Sequence, residues 1–159
     1  MVVARSALLN LKTEAEYHDY YKREYCRKSV VTWDGVRVYF KDARFAHAFY
    51  ESSKKDSQKD LFSAARAQRM NWIRETLVNP QSSIFQGWDK KKRRYDTCRR
   101  VCIAYEDFVV VIKMGLKKTG ELKAEFVTCF KADNSISKIK GSPKWSKKTC
   151  LKALNKKGR

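Results

Sequence analysis

The chain has 159 residues, 36 Lys and Arg against 17 Asp and Glu, a formal net charge of +19, and 43% hydrophobic residues. That length makes one domain, and so much apolar content excludes wholesale disorder. The charge exceeds the roughly 2–8 that small soluble domains carry, and a compact chain with this excess repels itself, so the surplus points to a polyanion, above all nucleic acid, with solubility alone as the alternative.

No apolar run approaches the roughly 18 residues of a membrane span. The N-terminal stretch MVVARSALLNLKTEAEY is too polar for a signal peptide, so a cytoplasmic protein with no membrane partner is expected. The cysteines Cys26, Cys98, Cys102, Cys129 and Cys150 are odd in number and contain no CxxC pair. Reduced thiols are therefore predicted in place of a disulfide framework or structural zinc. Two histidines, His18 and His47, are too few for a multi-histidine metal site, and no cofactor is expected.

In chain order, EAEYHDYYKREYCRK reads as a short helix within the first thirty residues. VVTWDGVRVYF (Val30–Phe40) reads as a hairpin, because β-branched and aromatic residues flank Asp34-Gly35, a strong two-residue turn signal. Residues 1–40 thus form a helix-and-hairpin extension. Two helices follow: FAHAFYESSK, capped by Asp42, and KDLFSAARAQRMNWIRETLVN, capped by Ser57 and stopped at Asn79-Pro80.

After Pro80 the runs SSIFQGW, RRVCIAY, FVVVIKMGL and ELKAEFVTCFKA are β-rich and separated by DKKKRRYDT, Glu106-Asp107 and KKTG. Such spacing leaves no room for crossover helices. The prediction is an α+β fold, an N-terminal hairpin and helices packed on a C-terminal antiparallel meander of about four strands. Residues 41–137 would be the core, and 138–159 a basic tail ending as a short helix or a solvated arm.

Several side chains sit where a plain core would not put them. On one continuous helix from about Lys59 to Asn79, Leu61, Phe62, Ala65, Trp72, Ile73 and Leu77 share one half-circle. Arg69 projects near its middle, and Arg66 lies between Ile73 and Leu77. An unpaired guanidinium there is costly, so each pairs with an acid or a carbonyl, or faces a cleft where its planar donors grip a phosphate. His47, near Ala43, Ala46 and Tyr50, is either a satisfied structural residue or a proton shuttle. In LKAEFVTCF, alternation places Leu122, Ala124, Phe126, Thr128 and Phe130 on one face, with Thr128 the only hydroxyl. Lys90, Lys91, Lys92, Arg93 and Arg94, between Trp88 and Tyr95, make a phosphate-gripping turn with stacking platforms, joined by Arg99 and Lys113.

The order of elements and the segments FAHAFYES, RAQRMNWIRETLVNP, IFQGWDKKKRRYD, FVVVIKM and FVTCFKADNSISKIKGSPKW resemble the BECR nucleases, and their prophage-associated branch in particular. That group takes in barnase, EndoU, colicin nucleases and RelE-like toxins, and the similarity spans Asp42 to Trp145. The resemblance implies a metal-independent ribonuclease, toxin or phage-associated, in which the RNA's own 2′-hydroxyl attacks and leaves a 2′,3′-cyclic phosphate. Such chemistry needs a base, a cation for the phosphorane and an acid. It would map to His47 as acid or base, Arg66 or Arg69 as phosphate clamp, Thr128 as a hydrogen-bonding partner, and Lys90–Arg94 as the backbone grip. RNA, tRNA or another, is then the partner, together with an acidic immunity protein or antitoxin. Many prophage members carry their histidine just before the first strand, where this chain has Arg66 and Arg69, so an arginine–lysine set is a second way to fill the roles. The alternative function is a non-catalytic nucleic-acid-binding protein that uses the same basic surface.

Overall fold

The computed structural model describes residues 5–54 and 58–157, and in them the chain forms an α+β fold around a large curled sheet. Helix α1 (Glu14–Tyr21) starts at Thr13, whose hydroxyl accepts the Glu16 N–H at 3.1 Å, and runs on into a π-helical turn at Lys22–Cys26. It buries Tyr17, Tyr21 and Tyr25. Each ring is large and apolar, and each hydroxyl finds a carbonyl: Tyr17 donates to Leu9 at 2.7 Å, Tyr21 to Lys41 at 2.8 Å and Tyr25 to Met70 at 2.6 Å. Burial, the largest cause, pushes the Tyr21 and Tyr25 phenols well above their ordinary range, so both stay donors.

Strands β1 (Val30–Val31) and β2 (Arg37–Tyr39) form the expected hairpin, with Gly35 at φ +90° in its turn. The hairpin joins the main sheet. β2 pairs in parallel with β10 (Leu122–Lys131), Val38 opposite Ala124 and Tyr39 opposite Glu125. β10 in turn pairs antiparallel with β9 (Phe108–Leu116), β9 with β8 (Val101–Tyr105), and β8 with β5 (Ser83–Phe85). The resulting six-stranded sheet has the order β1-β2-β10-β9-β8-β5.

The two helices expected between the hairpin and the strands form only in part. After α2 (Arg44–Ala48) the chain turns extended as β3 (Tyr50–Glu51) and pairs with β4 (Leu61–Phe62). Asp42 does not cap α2 with its side chain; its carboxylate meets His18 Nε2, and its carbonyl accepts the Phe45 N–H at 3.0 Å. Ser57 lies outside the described residues. Ser63 supplies the helix start instead, accepting the Arg66 N–H at 3.3 Å and opening α3 (Ala64–Ala67). A break at Gln68–Arg69 then separates α4 (Met70–Val78), which ends as expected before Pro80. Cross-strand packing of Tyr50 on Phe62, with ring centroids 5.9 Å apart, and the Ser63 cap outweigh the helical propensity of KDLFS. Arg66 and Arg69 therefore do not share a helix.

The run SSIFQGW divides as well. β5 joins the main sheet, whereas β6 (Gly87–Asp89) pairs only with β7 (Arg94–Asp96) as a separate two-stranded hairpin. The sheet has unequal faces. Along β9, Phe108, Val110, Ile112 and Met114 enter the main core, which the tyrosines of α1 and Met70, Ile73 and Leu77 of α4 complete. Val109 and Val111 enter a smaller core with Phe85, Ala104 and Ala132, covered by Ile136 and Ile139 of α5 (Ile136–Lys140). The next residue on that second face, Lys113, is exposed. α5 covers one end of this face and leaves the other open.

The C-terminal segment is no solvated arm. Trp145 donates its indole N–H to the Thr97 carbonyl at 2.8 Å, Phe85 bridges to Lys144, and α6 (Lys147–Lys157) inserts a fully buried Cys150 into the main core. Its Sγ lies 3.8 Å from Cys98 Sγ, and burial pushes its thiol up to about 12. Among the described residues no helix is long and apolar enough to cross a membrane. A chain shortened to end at Ser142 should lose about 3 kcal/mol or more of unfolding free energy, because Trp145, Cys150 and Leu154 all leave the core. Lys152→Gln, an exposed change on the same helix, should leave the denaturation midpoint within about 0.5 kcal/mol of the parent.

Candidate nucleic-acid cleft

Two walls frame a cleft at the open end of the sheet. The first is α2, which follows β2 in the chain and lies against β10. It buries Phe45 and Ala48 in the main core and leaves Arg44 and His47 half-buried. Arg44 reaches Glu125 on β10 at 3.2 Å, and Lys41 reaches the other oxygen of that carboxylate at 3.3 Å. Burial raises the Glu125 carboxyl, but hydrogen bonds and charge from Lys41 and Arg44 outweigh it and hold the group below the usual range.

The second wall is the β6–β7 hairpin with the segment after it. Asp89 shapes the basic turn: its Oδ1 accepts the backbone N–H of Lys91 at 2.9 Å and of Lys92 at 3.1 Å. Those two bonds, against some desolvation, hold its carboxyl below the ordinary value. Asp96 does the same for the next bend, accepting from Cys98 at 2.7 Å and Arg99 at 3.0 Å. Arg93 and Arg100 take left-handed φ values of 52° and 55° in the two turns. Gly87 lets the hairpin lie against the second bend; a Cβ there would stand 2.1 Å from the Arg100 carbonyl oxygen. Trp88 and Tyr95 pair across the hairpin with an edge-to-face contact, centroids 5.1 Å apart, and both stay exposed.

The cleft between these walls holds about 530 Å³. His47 and Arg44 line it from α2, and Lys113 and Val127 from the sheet. Lys90, Lys91, Lys92, Arg99 and Arg100 line it from the hairpin side, with Trp88 and Asp89. Among the described residues neither Lys113 nor Arg100 makes a salt bridge, so both charges are available to a ligand. His47 is the one group here that titrates near neutrality unaided. Its pKa lies below the ordinary value, first through burial and then through the charges of Lys59, Arg44, Arg100 and Arg66. Its resting form is the neutral imidazole, a proton acceptor.

The expected site residues are only partly together. His47, Lys90, Lys91, Lys92, Arg99 and Lys113 converge on this cleft, whereas Arg93 and Arg94 sit exposed on the hairpin. Arg66 and Arg69 line a different hollow of about 310 Å³ near Lys131 and Asp133. Arg66 is already engaged, donating to the carbonyls of Cys129 at 3.2 Å and Ala48 at 3.4 Å and meeting Glu51 at 3.4 Å. Arg69 donates to the Ala65 carbonyl at 2.5 Å and stacks 5.2 Å over Trp72, with its Nε buried and without a hydrogen-bond partner among the described residues.

Thr128 lines neither hollow; it is buried, and its hydroxyl is without a hydrogen-bond partner among the described residues. The simple alternation expected along β10 fails at a bulge between Phe126 and Thr128. Phe126 packs in the main core and Phe130 against the smaller one, while Val127 reaches the cleft. Arg44 is a cleft residue that was not expected, and Arg100, next to Arg99, lines the cleft too. For Arg44 the signal was its place three residues before His47, one turn away on the same helix. Among the described residues no three His, Cys, Asp or Glu side chains converge as a cation's ligand set.

No family model matches the chain, and no match is found among curated proteins or solved structures. The likeness to BECR nucleases therefore rests on the segments quoted above.

Two outcomes are expected. Gly87→Ala should destabilise the fold by roughly 1–3 kcal/mol, since the clash is with backbone that cannot swing aside, and should weaken nucleic-acid binding; thermal melts and a binding titration read the two effects. The His47 ring, followed by NMR, should titrate below about 6.5, the value of an unperturbed histidine. Because the folded state binds that proton less tightly than the unfolded chain, stability is full above the unfolded pKa. It falls as pH drops from about 6.5 through the folded value, and His47→Gln should remove that part of the slope.

Proposed function

We propose that this protein is a ribonuclease of the toxin or phage-associated type, binding RNA in the basic cleft and cleaving it with the RNA's own 2′-hydroxyl. The observation that carries the reading is His47: a half-buried imidazole, held neutral, in a cleft whose other polar groups are almost all cations. A phosphodiester drawn there by charge meets one imidazole base and several donors. His47 takes the 2′-hydroxyl proton, the 2′-oxygen bonds to phosphorus, and the bond to the 5′-oxygen breaks. Arg100 and Lys113 offset the charge that grows on the phosphorane. The leaving oxygen takes a proton from an ammonium group of the cleft, of which Lys113 is held on the rigid strand β9. The phosphate-clamp role given to Arg66 or Arg69 passes to these cations, because both arginines lie in the neighbouring hollow. Such an enzyme calls for an acidic inhibitor protein to cover the cleft in its host.

Binding without cleavage is the second reading. What favours it is that Arg66, Arg69 and Thr128 lie away from His47's cleft. Incubation with RNA in EDTA separates the two. Cleavage that survives chelation, yields 2′,3′-cyclic phosphate ends and stops when the scissile nucleotide is 2′-deoxy is the expected result. His47→Ala should slow it by roughly 100-fold or more while RNA affinity is kept. Intact, salt-dependent binding with no cleavage would leave the second reading, and no RNA binding at all would sink both.

The acid limb of kcat/KM reports the free enzyme and should fall below about 6.5. The limb of kcat should lie at higher pH, because bound phosphates favour the imidazolium. Coincident limbs would remove His47 from the role of base.

A further inference from the structure

Lys113 lines two hollows. The second, about 550 Å³, lies on the open half of the sheet's second face. Its floor is the strand surface at Gly115, Lys123 and Glu125, and its rim is Tyr39 on β2 with Lys117 and Lys118 beyond β9. The acid that lines it, Glu125, is bonded to Lys41 and Arg44, so its charge is answered from within the protein. Among the described residues Lys113, Lys118 and Lys123 make no salt bridge, and Lys117 meets only Glu121, at 3.8 Å. Tyr39 is 42% exposed, a large ring left at the edge of a basic hollow.

We propose that this hollow is a subsite for the part of a single-stranded RNA that runs out of the His47 cleft across Lys113. Lys117, Lys118 and Lys123 meet its phosphates, and Tyr39 stacks on one base. The inference rests on the reading of the cleft as an RNA site. Continuity comes from Lys113, which belongs to both hollows, and the charge matches a polyanion along the whole path. A single strand fits better than a duplex because a ring can stack only on a base face that pairing has not buried. Trp88, 47% exposed in the cleft's far wall, supplies a second platform, so bases are stacked near both ends of the track.

The test is anisotropy with labelled single-stranded RNAs of about 3 and about 12 nucleotides, and a duplex of the longer length, on variants checked for folding by thermal melt. Joint replacement Lys117→Gln, Lys118→Gln and Lys123→Gln should weaken the longer RNA about 10-fold or more, reduce its log–log salt slope by roughly 2, and leave the shorter RNA unchanged. Tyr39→Ala should weaken the longer RNA about 10-fold, and Tyr39→Phe should restore it. Equal losses at both lengths, no loss at either, or a duplex bound as tightly as the single strand would overturn the subsite. If the longer RNA depends on these residues but nothing is cleaved, the ribonuclease reading falls and the subsite stands. If RNA is cleaved and the joint variant binds the longer strand normally, the subsite falls and the ribonuclease reading stands.

Discussion

Halfway along β10 its second neighbour changes. β2 pairs with it through Glu125, and beyond that point α2 lies against the strand instead. A strand edge without a partner strand leaves carbonyls and N–H groups to be satisfied by other means. Here Arg66 answers part of that need, with one guanidinium nitrogen donating to Cys129 on β10 and to Ala48 at the end of α2. The helix is thereby pinned to the strand, and His47 and Val127 come to line one cleft. An arginine that would otherwise be a natural phosphate clamp thus serves as a fastener, and its charge still reaches His47 and lowers that ring's proton affinity.

Self-repulsion from a net charge of +19 would be eased most simply by pairing every acid with a cation. The cleft does not use its acids that way. Asp89 and Asp96 direct their Oδ1 atoms to backbone N–H groups, which sets the two bends of the hairpin wall. The neighbouring lysines and arginines gain a fixed position without being neutralised. Glu125 is the exception, bonded to both Lys41 and Arg44. It faces the open half of the sheet, where a free carboxylate would repel the polyanion proposed to bind the lysines. Concentrating unpaired charge over two adjoining hollows costs stability, which the aromatic and aliphatic packing of the main core offsets.

What was legible in the sequence followed local rules. Asp34-Gly35 marked a hairpin, Asn79-Pro80 marked a helix end, and the β-rich runs after Pro80 marked antiparallel strands, because each signal acts within a few residues. The basic turn was readable for the same reason. The misses are non-local. Parallel pairing of β2 with β10 joins residues more than eighty positions apart and leaves no trace in either segment. The split of KDLFSAARAQRMNWIRETLVN into a strand and two helices depends on Tyr50 packing on Phe62. The bulge at Val127 reverses the facing of everything after it, so a strict period of two misplaces Thr128 although the strand itself is found. Even the tail, read as basic and ending in a short helix or a solvated arm, does end in a helix but hides Cys150 among lysines, and a single buried residue is too weak a pattern to reveal docking.

The placement of His47 ties electrostatics to chemistry. A base must be neutral before its substrate arrives and must hold a proton comfortably once it has taken one. Burial and the surrounding cations meet the first condition, by making the imidazolium unfavourable. The second is met by the ligand itself. Phosphates entering between Arg100, Lys113 and the lysine turn would cancel the same charges that depress His47, so its basicity would rise only when RNA is bound. A histidine buried in an apolar core would meet the first condition and fail the second, and one exposed on a neutral surface would gain little from either. In the proposed reaction the basic cleft would thus supply both the affinity and the timing of the proton transfer, without requiring the protein to change shape.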